Sequence, residues 1–348
     1  MKAKKALILA VVLSFVAIAN CMAQVTAGEI MQDIKNFIWS TDEKVAKFVR
    51  PVKEGLKEKR LDVDFFAGMS QGFDNNVNLD PERRKDGFFE VTLGADLGYA
   101  YSDDLRLMSD SMITELLYYN ANESNFLDLS NKTTIELDIW DDAAALGGSY
   151  AFNTAFFPVD KDASYTAHKI GTYLKTGNYD PFYHKLKYDF SYKNYHKYRT
   201  RRHSGIKSET EVGIVNNSVG HEGGWLLFDM VLLKNLTEFG RSSSNYYFMH
   251  YYDYWFFKLK PSIVLFATDE LSLTSSFQYT KKDYDDRTSS EDDEHVYDDN
   301  YRLNFGLIYR ITKSCSLSGN YSYRDNRSNE PLQKYAGSVW TLGVYYTF

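Results

Sequence analysis

The sequence is short of cysteine. It has two, Cys21 and Cys315, and Cys21 falls in a stretch expected to be removed. The mature chain is left with one thiol, which excludes an internal disulfide and a disulfide-scaffolded fold. Long apolar runs are also scarce. Past the first 23 residues none reaches the ~20 residues a membrane-crossing helix needs, which excludes a helical membrane bundle. Positive charge is in deficit, with 40 Lys and Arg against 47 Asp and Glu and a formal charge of −7. That balance argues against a general nucleic-acid binder, so no nucleic-acid partner is expected. The seven histidines are scattered, and no two have metal-ligand spacing. No Gly-x-Ser-x-Gly and no helical His-Glu-x-x-His is present, so the reading is of a non-enzyme without cofactor or metal.

What the chain has is aromatics, with 28 Tyr and 23 Phe. A mean hydropathy of −0.44 reads as soluble. A transmembrane β-barrel escapes that inference, because only every second strand residue meets lipid while lumen and loops are polar. Tyrosine suits the lipid–water boundary, with its ring in the apolar layer and its hydroxyl in water.

Residues 1–23 read as a signal peptide. Lys2, Lys4 and Lys5 make a basic start, Ala6 to Ala19 an apolar core, and Cys21-Met22-Ala23 a small-residue cleavage site before Gln24. Loss of those three lysines takes the charge to about −10. Acylation of Cys21 is the rival, disfavoured by Asn20 directly before it. From 24 to 59 the period is helical, with Ile30, Ile34, Phe37 and Ile38 on one face and Pro51 ending a second short helix. This segment is expected to be a periplasmic helical extension docked under a barrel. Insertion into the lumen as a plug is the alternative.

At Leu61 the period becomes two and stays there to the end, so 60–348 reads as one barrel. Phe89, Val91, Leu93, Ala95, Leu97 and Tyr99 alternate with Glu90, Thr92, Gly94, Asp96 and Gly98. Tyr301, Leu303, Phe305, Leu307 and Tyr309 alternate with Arg302, Asn304, Gly306 and Arg310. Short turns, such as Ser102-Asp103-Asp104 and Thr312-Lys313-Ser314, alternate with long polar connectors at 75–86, 197–205, 236–244, 285–299 and 325–335. Short periplasmic turns and long outer loops are the outer-membrane arrangement. The fold expected is all-β: an antiparallel up-and-down transmembrane β-barrel of about 14 strands with a short N-terminal helical segment. Residues 225–266 hold so many aromatics that two registers are open there.

The last strand places Trp340, Leu342, Val344, Tyr346 and Phe348 on one parity. It resembles the closing strand of bacterial outer-membrane barrels. That likeness implies an assembly signal read by the barrel-assembly machinery, and a location in the outer membrane of a diderm bacterium. The expected lipid partners are membrane lipid and lipopolysaccharide.

Three further stretches carry a more specific likeness: Gly72-Phe73-Asp74-Asn75-Asn76-Val77-Asn78-Leu79, Asp86-Gly87-Phe88-Phe89-Glu90 and Tyr323-Arg324-Asp325-Asn326-Arg327-Ser328-Asn329-Glu330-Pro331-Leu332. Together they resemble the C-terminal barrel of the surface lipoprotein assembly modulator (Slam) family. Where that family has tetratricopeptide repeats, this chain has only 24–59. The resemblance implies a fourteen-stranded barrel that assists export or surface display of a secreted protein or lipoprotein client. The alternative is a porin-like passive channel for small solutes.

Candidate site residues fall in two groups. Asp74, Asn75 and Asn76 read as a structural turn at the rim, since Asn and Asp bond their own backbone. Asp62, Asp64, Glu90, Asp96, Glu136 and Asp138 on early strands, and Lys185, Lys187, Lys193, Arg302, Arg310 and Arg324 on later ones, are expected to face the lumen. Opposite signs on facing walls make either a salt-laced interior or a transverse field in a pore, and a narrow lumen with internal pairs is the favoured form. The acidic run 285–299 and the basic run 196–203 read as solvated loops.

Overall fold

The computed structural model describes residues 61–139, 144–159, 164–176, 182–195, 207–221, 224–237, 241–243, 246–248, 253–291 and 293–348. The leader, the 24–59 segment and the basic run 196–203 lie outside the described residues.

The strands are β1 (Leu61–Asp74), β2 (Asp86–Ala100), β3 (Leu105–Tyr118), β4 (Phe126–Ile139), β5 (Ala144–Phe156), β6 (Tyr165–Thr176), β7 (Phe182–Tyr195), β8 (Lys207–His221), β9 (Gly224–Thr237), β10 (Arg241–Ser243), β11 (Tyr246–Phe248), β12 (Tyr254–Phe266), β13 (Leu271–Thr288), β14 (His295–Arg310), β15 (Cys315–Ser328) and β16 (Tyr335–Thr347). β10 and β11 pair only with each other. Among the described residues, the other fourteen form one closed antiparallel barrel in sequence order, with β12 beside β9 and β16 beside β1. Closure leaves no edge of unpaired backbone, which is what the hydrocarbon of a bilayer demands.

Alternation assigns the two faces. Leu342 is 74% exposed and Trp340 58%, while Val339 and Thr341 between and beside them are buried. Leu93, Ile135, Leu146, Ile170, Leu186, Leu226, Ile263 and Phe305 continue this apolar outer belt around the wall. The belt is laced by ring contacts, among them Tyr321 edge-on to Trp340 at 4.9 Å and Tyr279 against Tyr301 at 5.3 Å. Large exposed apolar surface is costly in water and favourable in lipid.

Most expected strands match closely, but two polar connectors were read as too long. β13 continues to Thr288 and β14 begins at His295, so the connector is 289–294 rather than 285–299. β15 continues to Ser328, so the next is 329–334. Beyond the lipid both faces of a ladder meet water, so the alternation vanishes while the pairing goes on. The 225–266 ambiguity resolves as β9 and β12 paired from Gly224–Leu265 to Asn235–Tyr254.

The closing seam is shorter than its neighbours. β1 meets β2 from Leu61–Tyr99 to Asp74–Asp86, but meets β16 only from Phe66–Thr347 to Asp74–Val339. Phe348 extends it by two backbone bonds with Phe65, at 2.9 and 3.2 Å, and by a ring stack at 6.1 Å.

A buried apolar cluster lies inside the outer end of the barrel. Phe88, Leu116, Tyr118, Phe126, Ala155, Phe157, Tyr165 and Val339 come from β2–β6 and β16 or their ends, and Val77 and Ala121 come from the connectors. Residues from one side of the mouth thus pack on each other within the lumen.

Candidate lumen site

The first connector, 75–85, folds inward to join that cluster through Val77. Its root is fixed by the three residues of the Asp74-Asn75-Asn76 turn. Asp74 is almost wholly buried, and Arg324 Nη2 on β15 donates to both of its carboxylate oxygens, at 3.0 and 3.1 Å. Asp74 also accepts the Asn76 backbone N–H at 2.8 Å. Asn75 prolongs the seam. Its N–H donates to the Ser338 carbonyl, its Nδ2 to Ser338 Oγ, and its Oδ1 accepts the Ser338 N–H at 2.6 Å. The Asn76 amide donates to the carbonyls of Asp80 and Ala336 and accepts the Asp80 N–H. Leu79, buried at the tip, is held at φ 49°, a conformation that costs a branched side chain about 1–2 kcal/mol. Such strain persists only where the surroundings fix it. The connector is also tied to the next one along the rim. Asp86 accepts the backbone N–H groups of Asn120 and Ala121, each at 2.7 Å, and Arg84 pairs with Glu123.

The second component is a basic wall on the inner faces of β6 and β7. Lys169, Tyr173 and Lys175 share the inner parity of β6, and Lys185, Lys187, Asp189 and Lys193 share that of β7. Leu186, Tyr188 and Phe190 point outward between them. Asp189 is fully buried, with Lys187 at 2.7 Å and Lys169 at 3.0 Å on its two oxygens. Lys185 lies 3.6 Å over the Tyr173 ring, and Lys193 lies 3.7 Å over Tyr165. Tyr173 in turn donates its hydroxyl to Glu136 at 2.6 Å, and Lys175 reaches the same carboxylate at 3.4 Å. Gly147 on β5 makes room for this, since a Cβ there would collide with the Tyr173 ring.

The expected lumen residues occupy the inner parity of their strands. Glu90, Glu136, Lys193, Arg302 and Arg324 are buried, and Asp62, Asp64, Asp96, Asp138, Lys185, Lys187 and Arg310 partly so. Asp138 pairs with Arg106 on the adjacent strand, and Glu136 with Lys175 two strands away. Asp64, Asp96 and Asp110 are successive register partners on β1–β3, and Asp110 meets Lys132 on β4. Arg302 and Arg324 are register partners. Acids therefore gather on β1–β3 and lysines on β6–β7, with neutralising pairs local to each sector. Lys169, Lys175 and Tyr173 escaped the sequence reading. β6 shows little alternation, since Ile170 and Leu174 are all that mark its outer face among His, Lys and Thr, yet Lys169 and Lys175 do fall on the parity opposite them.

The acidic run 285–299 is used structurally. Asp285 pairs with Lys234, Asp299 accepts the Tyr279 hydroxyl at 2.6 Å, and Asn326 donates to Asp298. Its connector is clamped from the next one. Glu330 accepts both the N–H and the hydroxyl of Ser290, and Asn329 bonds the backbone of Tyr297 and His295.

Comparison with known proteins agrees with this geometry. The family described as "Putative beta-barrel porin 2" matches residues 266–348. The anion-selective porin from Comamonas acidovorans superposes with a TM-score of 0.50 at 10% identity, over 83% of this chain and 99% of that one. Salmonella typhi OmpF in complex with daunomycin gives 0.49 at 10% identity, over 83% and 97%. The loop L8 deletion mutant of OmpT from Vibrio cholerae gives 0.46 at 9%, over 83% and 100%. No curated protein matches the chain. What the chain shares with the Comamonas acidovorans porin is the fold, and the protein is an integral, porin-like outer-membrane β-barrel.

Proposed function

We propose that the protein is a passive channel for small solutes with a preference for anions. The observation that carries this is the lysine wall of β6 and β7, which places Lys169, Lys175, Lys185, Lys187 and Lys193 on the inner parity of two adjacent strands. A wall of one sign beside a narrow path raises the local concentration of ions of the other sign. The inward connector 75–85 acts as the constriction that forces solutes toward this wall. The porin-type family match at the C-terminal end supports the reading, as does the anion-selective function named for the Comamonas acidovorans porin.

The test is the zero-current potential of the purified barrel in a planar bilayer under a KCl gradient. The unmodified protein should favour chloride. Changing Lys185, Lys187 and Lys193 together to Glu should move the potential toward that of a cation-preferring pore, more at low salt than at high. A potential that the triple change leaves unmoved would overturn the proposal.

A second reading is export or surface display of a protein or lipoprotein client, as the Slam resemblance implies. One observation favours it: the three stretches that carry the resemblance belong to one part of the outer rim, where Arg324 holds Asp74 and the Asp86 carboxylate anchors the neighbouring connector. Surface labelling of lipoproteins in cells with and without this gene separates the two. A specific lipoprotein lost from the surface supports export.

A further inference from the structure

The outer face of β3–β6 carries polar side chains in the middle of the apolar belt. On β4 the outer parity runs Leu127 and Leu129, then Asn131 and Thr133, then Ile135, Leu137 and Ile139. On β3 it runs Leu105 and Leu107, then Ser109 and Ser111, then Ile113. Ser109 is in register with Thr133, and Ser111 with Asn131. The two interruptions therefore coincide, with apolar residues above and below each of them. They are hydrogen-bonded across the strands. Asn131 Nδ2 donates to Ser109 Oγ at 3.1 Å and to Ser111 Oγ at 2.9 Å, and the Ser109 and Thr133 hydroxyls share a bond at 3.2 Å. On the next two strands Tyr150 Oη and His168 Nδ1 share one at 2.8 Å. Tyr150 is the register partner of Thr133, and His168 lies across Phe152 from Asn131. On β14, by contrast, the outer parity is Tyr301, Leu303, Phe305, Leu307 and Tyr309, and β13 has a lone Ser275.

Lipid tails offer no donor or acceptor, so polar side chains in the middle of the belt are better placed against protein. Ser, Thr and Asn each donate and accept, so the cluster suits a surface like itself. A second copy of the chain supplies one. Every copy of a barrel crosses the membrane the same way round, so an axis relating two copies lies along the bilayer normal. Each residue then meets the partner at its own depth. Polar cluster meets polar cluster, and apolar flank meets apolar flank. The relief of the face agrees. Ile135 is 54% exposed, and its register partner Gly148 leaves a hollow, where a Cβ would meet nothing within 4 Å. A two-fold axis sets the Ile135 of each copy against the Gly148 of the other. The area is also sufficient. Strands ~4.8 Å apart and tilted by ~40° each take up about 6 Å of the girth, so β3–β6 present about 25 Å by the ~25 Å height of the apolar band, or roughly 600 Å². Two such faces bury roughly 1,200 Å², above the ~1,000 Å² expected of a specific interface.

We propose that two copies of this chain pair in the membrane through the outer faces of β3–β6, about a two-fold axis, with Ser109, Ser111, Asn131 and Thr133 at the contact. Tyr150 and His168 border it. The pairing rests on the barrel and not on what passes through it, so it is independent of the channel reading.

The experiment is photocrosslinking of the full chain in isolated outer membranes. The photoreactive residue benzoylphenylalanine takes the place of Phe152, on the outer parity of β5 beside the cluster, or of Phe305 on β14 as the control. Irradiation of the Phe152 probe should give a product of twice the chain's mass that contains peptides of this chain alone. The Phe305 probe should not. Ser111→Leu/Asn131→Leu gives lipid an apolar face, so it should keep the heat-modifiable migration of a folded barrel and lower the yield of that product about tenfold or more. Gly148→Phe fills the hollow without displacing a neighbour and should lower it as well. Ser275→Leu should leave it unchanged. The pairing is overturned by a folded barrel that gives no doubled product from the Phe152 probe, or by a product that joins it to a different protein. Equal yield from the Phe305 probe would mean chance collision and overturns it too. So does a yield that persists in either folded variant, the double leucine change or Gly148→Phe.

Discussion

Arg324 and Asp74 stand 250 positions apart in the chain and meet inside the barrel at 3.0 Å, both almost wholly buried. Such a pair gains little over two well-packed apolar side chains, because desolvation offsets most of the attraction. Breaking it on one side is another matter, since the remaining charge is stranded. Arg324→Leu should lower the unfolding free energy in lipid by about 3–5 kcal/mol, with Asp74→Leu/Arg324→Leu recovering much of the loss. Urea titration of barrel folding into vesicles measures both. Equal stability of Arg324→Leu and the unmodified protein would mean that the inward connector is held by something else. The parity of β15 was enough to put Arg324 on the inner face. Nothing local could name its partner, because adjacency of β1, β16 and β15 comes from closure of the sheet and not from any nearby residue. The Asp74-Asn75-Asn76 turn was legible for the same reason in reverse. Short polar side chains that bond their own backbone announce a turn wherever they stand, but its inward direction depends on Ser338 and Ala336 of the far end of the chain.

At the scale of the strand, alternation carried most of the reading. β1, β2, β5 and β16 are recognisable because lipid demands a continuous apolar face and the lumen does not. β6 is faint because its outer face is short and its inner face carries lysines among small and aromatic residues. β13 and β14 were cut short because their outer ends stand in water, where no face is constrained. The outward face of β16 gives the most direct test at this scale. Leu342 is its most exposed apolar residue and lies in the middle of the strand. Leu342→Arg should cost about 2–4 kcal/mol of folding into a bilayer, the expected price of a cation at the midplane. Leu342→Phe should fold normally. The comparison is made by vesicle folding at graded urea. A neutral effect of Leu342→Arg would show that this face does not meet lipid.

At the scale of the whole molecule, a barrel of fourteen strands with side chains on both faces encloses more room than its wall alone can fill. The sequence reading favoured a narrow, salt-laced lumen, and the pairs Glu136–Lys175, Asp138–Arg106, Asp189–Lys187 and Arg324–Asp74 are of that kind. They are pairs within one side of the wall, however, and they do not bridge the lumen. Among the described residues, the largest inward packing is an apolar cluster and a connector on β1–β6 and β16, and smaller buried clusters line the inner faces of β9 and β12. A path along β6 and β7 is compatible with both features, and it is there that the lysines lie.

That placement is the central claim, and chemical modification inside a recording pore tests it most directly. In a Cys21→Ser/Cys315→Ser background, Lys185→Cys puts the one thiol of the chain on the wall in question. The account predicts a steady, anion-favouring current that steps down, and shifts toward cations, when a negatively charged thiosulfonate reagent is added. No current, or a current that the reagent leaves unchanged after the thiol has been shown to react, would contradict it.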